Sequence, residues 1–266
     1  MKNLLAISTF LSSTLTLGSG SAYALPTSLI ETKLDTIIVF MPSDKGEPRA
    51  IPYKLDGEIR NVYFAAFSNT AVENLITDLQ KREKKGWFGF LRGIFSKGNQ
   101  SETSTAKLIQ AKDLKFEPAS LSKFDQLVQP KLEENSNERV LYIPDPTQRK
   151  FSKKLLKDQG IKGRKLRQVL DKIPIIFCPQ PSLLATIKAG PNKGETFVPC
   201  STDYITVRTI LDNSISANPK VKEKKPKILA ITLPQFAKLL SVGKPSEIEQ
   251  LRVLPTPSSL KYIKRP

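Results

Sequence analysis

Histidine is absent from the chain, and that decides much of its chemistry before any fold is considered. Without it there is no Ser-His-Asp triad, no imidazole general base and no His-ligated metal. Two cysteines, Cys178 and Cys200, are too few for a four-thiolate zinc site. They leave two readings: one disulfide in an oxidising compartment, or two buried thiols acting as small hydrophobes. The other groups that could do chemistry are Ser68, Ser201, Asp145 and Asp203. Each stands where a turn or a helix start is expected, and turns and caps account for all four. There is no glycine-rich phosphate loop, and spacing alone brings no two carboxylates together. The expectation is a protein that is not an enzyme, with no catalytic residues, no metal and no cofactor.

The elements that must position these residues begin after a leader. Residues 1–24, MKNLLAISTFLSSTLTLGSGSAYA, combine a basic start at Lys2, an apolar run from Leu4 to Leu17 and small residues at Ala22 and Ala24. This is the pattern of a secretory signal peptide cut after Ala24. No later run approaches the roughly 18 apolar residues that a membrane-spanning helix needs. The remaining chain, about 242 residues, is long enough for a substantial core. It is strongly basic, with 42 Lys and Arg against 25 Asp and Glu, which favours anionic partners. Export makes nucleic acid the least fitting of these, and no nucleic-acid partner is expected.

Internal repetition organises the rest. LDTIIVFMP at Leu34 to Pro42 returns as LDKIPIIFCP at Leu170 to Pro179, each a buried strand closed by proline. FAAFSNTAVENLI from Phe64 matches FVPCSTDYITVRTI from Phe197, a strand running into a helix capped by Ser68 or Ser201, with Thr70 and Glu73 spaced as a capping box. SLSKFDQLV from Ser120 matches TLPQFAKLL from Thr232, and IPDP at Ile143 matches LPTP at Leu254. Ser68 and Ser201 stand 133 positions apart, but Ser120 and Thr232 stand 112 apart and Ile143 and Leu254 111 apart. The first copy therefore holds about 21 extra residues. The expected fold is α+β, with two pseudo-two-fold related units in one continuous body. The first unit spans 25–168 with an insertion at 81–105, and the second spans 169–266.

That insertion, KREKKGWFGFLRGIFSKGNQSETST, interleaves basic residues with Trp87, Phe88, Phe90, Leu91 and Phe95. As a helix it would present one broad apolar face, at a cost of about 1 kcal/mol for each of its interior glycines. It could meet a membrane interface, enter an apolar groove on a partner, or fold back on the body. A second basic run, Arg149 to Arg167, carries Phe151, Leu155 and Leu156 as a narrow apolar stripe and reads as a surface helix with a solvated face. Lys220 to Lys227 reads as a charged linker.

The turn LYIPDPTQRK, the strand IPIIF and the strand FVPCSTDYI entering a helix together resemble the Tic-twenty-two-like family. Its "F-I-P-D-P" turn is matched by Ile143, Pro144, Asp145 and Pro146, and the likeness runs through nearly all of the mature chain. The proline of the family's first strand is missing at Ile37 to Phe40, and the basic aromatic insertion is extra. The resemblance implies an α+β protein with two similar halves and apolar pockets on opposite faces. It places the chain in the periplasm, the thylakoid lumen or the plastid intermembrane space, with a role in protein transport or outer-membrane protein biogenesis. The bacterial style of the leader favours the periplasm.

The functional expectation is a non-enzymatic, chaperone-like factor that binds apolar segments of unfolded clients and serves an outer-membrane barrel assembly or import machine. Phe40, Phe64 and Phe67 would border one pocket, and Phe177 and Phe197 the other. The alternative is a peripheral protein that meets an anionic membrane or envelope surface through its insertion. Repeat alignment sets Cys178 against Met41 and Cys200 against Phe67, on strands expected to be neighbours, which favours the disulfide.

Overall fold

The computed structural model describes residues 29–55, 57–84, 114–180, 185–186, 193–218, 221, 223, 226–242 and 250–262. The leader and the aromatic part of the insertion lie outside these residues. The first half runs α1 (Leu29–Leu34), β1 (Ile38–Asp44), β2 (Glu47–Pro48), β3 (Ile51–Leu55), β4 (Glu58–Ala66), α2 (Asn69–Lys84), β5 (Phe116–Ser120), α3 (Leu121–Glu134) and β6 (Glu138–Ile143). A 3-10 turn at Pro146–Gln148 leads into α4 (Arg149–Asp158) and α5 (Gly163–Lys172). The second half runs β7 (Ile175–Gln180), β8 (Ala185–Thr186), β9 (Thr196–Ser201), α6 (Tyr204–Ala217), β10 (Lys227–Thr232), α7 (Leu233–Val242), β11 (Leu251–Leu254) and a 3-10 turn at Leu260–Tyr262.

The strands form two mixed sheets. In the first, β5, β1, β4 and β6 follow one another, the first two junctions antiparallel and the last parallel. In the second, β10, β7, β9 and β11 follow in the same senses. The registers correspond as well. Phe40 faces Ala66 and Phe177 faces Ser201; Ile38 faces Ser120 and Ile175 faces Thr232; Ala66 faces Ile143 and Ser201 faces Leu254. The first sheet adds β2 and β3, which sequence periodicity had not separated, and the second adds the short β8, antiparallel to β9. Lys45 and Gly46, both at positive φ, close the β1–β2 turn, and Gly57 at φ 95 closes β3 onto β4. The alternation around Asp56-Gly57 in YKLDGEIRNVY is a hairpin pattern that could have revealed the second turn.

β1 and β7 are buried along almost their whole length, which explains their continuous apolar runs. Alternate residues serve different cores. Val39, Met41, Tyr63, Ala65, Ile176, Cys178, Val198 and Cys200 belong to one cluster shared by both sheets, together with Leu34 of α1, Phe124 of α3 and Phe236 of α7. The opposite faces are covered separately. α2 lays Leu75 and Leu79 with Val62 and Phe64, whereas α4, α5 and α6 bring Leu156, Leu166, Val169, Val207 and Leu211 to Phe177, Ile228 and Ala230. Among the described residues, no helix is long and apolar enough to cross a membrane.

Capping follows sequence in part. The Ser120 side chain accepts from the Lys123 N–H at 3.2 Å, and Thr232 and Gln235 form a reciprocal capping box. Ser68 accepts from Ala71 N–H at 3.1 Å, so it caps α2 alone and the Thr70–Glu73 box is not used. The expected cap at Ser201 is a correction: Asp203 caps α6, accepting from Ile205 and Thr206 N–H groups. Ser201 is buried at the end of β9, where its hydroxyl donates to the Leu254 carbonyl at 3.0 Å.

Candidate functional site

The Pro144-Asp145-Pro146 turn lies where the two halves of the chain meet. Asp145 accepts from the N–H and the hydroxyl of Thr147, at 2.9 and 2.8 Å, and so starts the 3-10 turn. That turn aims Gln148 at the start of α6. The Gln148 amide donates to Asp203 at 2.9 Å and accepts from the Tyr204 N–H at 3.0 Å. One residue on, Arg149 pairs with Asp171 of α5. Phe151 stacks on Tyr204 with ring centroids 4.4 Å apart, and Tyr204 meets Phe177 edge-on at 5.7 Å.

Between these groups lies a cleft of about 20 Å³, lined by Phe67, Asp145, Gln148, Arg149, Ile173 and Thr202 among others. That is space on the scale of one water molecule. Both carboxylates, Asp145 and Asp203, are occupied by backbone N–H groups and threonine hydroxyls. The arrangement clamps the two halves and offers no acid–base pair. Burial pushes the phenols of Tyr63 and Tyr142 up, Tyr63 further through its hydrogen bond to Glu138 and Tyr142 through the charge of Asp125. Among the described residues, no group of three or more Cys, Asp or Glu side chains could hold a metal ion.

The five phenylalanines expected to border pockets are buried to different degrees. Phe64 and Phe177 are fully buried, and Phe40 and Phe67 are 8% exposed. Phe40, Phe64 and Phe177 pack against α2, α4, α6 or the C-terminal turn, and Phe67 lines the small cleft beside the Pro144-Asp145-Pro146 turn. Phe197 is half-buried, with the Arg252 guanidinium 5.5 Å above its ring. The alternating apolar pattern of a strand marks both faces as apolar; it cannot show whether a distant helix covers them.

Cys178 and Cys200 are directly opposed on β7 and β9, next to the Phe177–Ser201 pair. Their Cα atoms are 4.4 Å apart and their sulfurs are joined. The separation is that of a non-hydrogen-bonded antiparallel pair. By register, the matching opposed pair on β1 and β4 is Met41 and Ala65, next to Phe40–Ala66. The partner of Cys200 in the first half is therefore Ala65, which corrects Phe67 by two positions. Trp87, Phe88, Phe90, Leu91 and Phe95 lie outside the described residues.

Sequence reasoning passed over Gln159. Its amide donates to the Ala230 carbonyl at 3.0 Å and accepts from the Ala230 N–H at 2.9 Å, occupying the free edge of β10 as a strand would. A polar residue in a turn carries no mark of that role. The basic run Arg149 to Arg167 is also not one helix: Gly160 at φ 88 ends α4, and α5 turns back beside it.

No family model matches the chain, and no curated protein does. Solved structures do. The chain superposes on Anabaena Tic22, described as a protein-transport protein, with a TM-score of 0.62 and 16% identity over 91% of this chain and 100% of that one. It superposes on Tic22 from Plasmodium falciparum with a TM-score of 0.51, 16% identity, and coverage of 88% and 94%. The chain has the fold of these Tic22 proteins.

Proposed function

We propose that the chain is a Tic22-like factor in protein transport: exported, not an enzyme, and acting on unfolded or partly folded clients on their way to an outer-membrane barrel assembly or import machine. The observation that carries this reading is a shared fold that covers the whole solved chain of a protein-transport protein. The leader pattern of residues 1–24 supports export to the periplasm.

The two halves, 25–168 and 169–266, descend on this reading from one duplicated unit related by a pseudo-two-fold axis. The same order, pairing senses and matched registers of four strands in each sheet support it. With four of the five pocket phenylalanines in the core, the apolar client contact falls to the insertion, at Trp87, Phe88, Phe90, Leu91 and Phe95.

The test is suppression of client aggregation. Purified mature protein should hold a denatured outer-membrane barrel protein in solution, and the double variant Trp87→Ala, Phe90→Ala should lose most of that activity with an unchanged unfolding midpoint. If the wild-type protein leaves aggregation untouched, the client-binding reading fails.

A further inference from the structure

The outermost layer over the second sheet is the helical pair α4 and α5, and its exposed side is almost entirely positive. Residues 149–172 carry ten basic side chains against Asp158 and Asp171. On α4, Lys150, Lys153, Lys154 and Lys157 recur at the spacing of one helix face, about 10 Å long at roughly 1.5 Å per residue. All four are exposed, whereas Ser152 and Leu156 are buried on the other side. Lys162, Arg164, Arg167 and Lys172, also exposed, continue the charge through the turn and along α5.

This ridge is not an ordinary solvated face. The other long helices place an acid or amide partner one turn away: Arg82 with Asp78 on α2, Gln129 with Glu133 on α3, Arg208 with Asp212 on α6. On α4 the residues one turn apart are lysines, and each such pair weakens the helix. Within this layer Arg149 pairs with Asp171, and among the described residues the four ridge lysines make no ion pair. Asp158, at the end of α4, is the one acid on that helix and makes no ion pair with the four lysines, so their mutual repulsion points to an outside partner.

Shape narrows the partner. The ridge is convex and shows no large exposed apolar side chain, since Ile205 and Leu260 are the ones exposed among the described residues. It can neither insert nor grip a single extended chain. It suits a broad, dense array of negative charge, which attracts each nearby lysine until salt screens it. We propose that the lysine ridge of α4, extended by α5, docks the protein on an anionic phospholipid surface by charge alone. None of its residues belongs to the insertion, and the inference does not depend on the transport reading.

The mature full-length chain is sedimented with phosphatidylcholine vesicles, with and without phosphatidylglycerol. Binding is expected only to the anionic vesicles and should disappear as salt is raised. The variant K150E/K153E/K154E/K157E should bind at least about tenfold more weakly. The control K54E/K115E/K123E/K193E has the same net charge and should keep most of the binding, and Trp87→Ala with Phe90→Ala should keep all of it. The corresponding four-glutamine ridge variant, checked for native circular dichroism, should show the same loss without charge reversal. The proposal is overturned if the ridge variants bind like wild type, if the control loses as much, or if the insertion variant alone abolishes binding. It is also overturned if the chain ignores anionic vesicles yet binds polyglutamate through the ridge.

Discussion

The two sheets share strand order and register but finish their exposed parts in different ways, and the differences show what each half of the chain had to solve. An edge strand offers unpaired N–H and C=O groups to any passing strand. On β5 the inward bonds fall at Lys115 and Leu121, so Phe116, Pro118 and Ser120 turn outward. Pro118 has no N–H to offer. On β10 the residue in the equivalent place is Ala230, opposite Phe177 as Pro118 is opposite Phe40. There the Gln159 amide occupies both backbone groups. One half closes its edge with its own residue, and the other borrows a side chain from the segment joining the halves.

The outer faces repeat the lesson. After the first Pro-x-Pro turn the chain crosses to the second sheet, where Phe151 stacks on Tyr204 above Phe177. After the second it crosses to the first sheet, where Tyr262 meets Phe40 edge-on at 5.4 Å. The exchange is reciprocal, but α4 and α5 make the first crossing a full helical layer and the second only a turn.

Truncating the ring beneath each crossing probes that inequality with the largest expected effect. Phe177→Ala should cost about 3–5 kcal/mol in urea unfolding. Phe40→Ala, under a thinner cover, should cost roughly 1 kcal/mol less. Equal losses would show that the helical layer adds nothing to the second sheet.

The cysteine pair gives the next effect. Reduction, or Cys178→Ser with Cys200→Ser, should lower stability by about 3 kcal/mol for a loop of this length in the chain-entropy model. The register can also be tested in the first sheet. In a background lacking the native pair, Met41→Cys with Ala65→Cys should oxidise spontaneously, whereas Met41→Cys with Phe67→Cys should not. Intact-mass measurement under non-reducing conditions reads the loss of two hydrogens.

Edge protection gives the smallest change in stability. Gln159→Ala should cost about 1–2 kcal/mol through two lost hydrogen bonds. Pro118→Ala should barely move the unfolding midpoint. Both should raise the rate of aggregation measured by light scattering at fixed concentration, because each restores an open strand edge.

Much of this architecture can be read from residues. The paired apolar strands, the two Pro-x-Pro turns and the caps at Ser120 and Thr232 stand in the structure where the sequence puts them, because local chemistry alone forms them. The alignment of Ser68 with Ser201 was misled by residue identity. What matches across the halves is the cap, and Asp serves there as well as Ser, so Ser68 answers to Asp203. The burial of the pocket candidates was hidden for a different reason. Phe40, Phe64, Phe67 and Phe177 look available in a strand read by itself, and the helices and turns that bury them come from distant parts of the chain. Gln159 was illegible because its partner is a backbone edge 71 residues away.

The central claim is that this chain handles polypeptides in transit. The most direct measurement places a photo-crosslinking residue at position 87 of the full-length chain and irradiates the intact cells that produce it. The account predicts crosslinks to unfolded outer-membrane precursors and to components of the barrel assembly or import machine. Crosslinks to lipid alone, from a chain shown to be exported and folded, would contradict it.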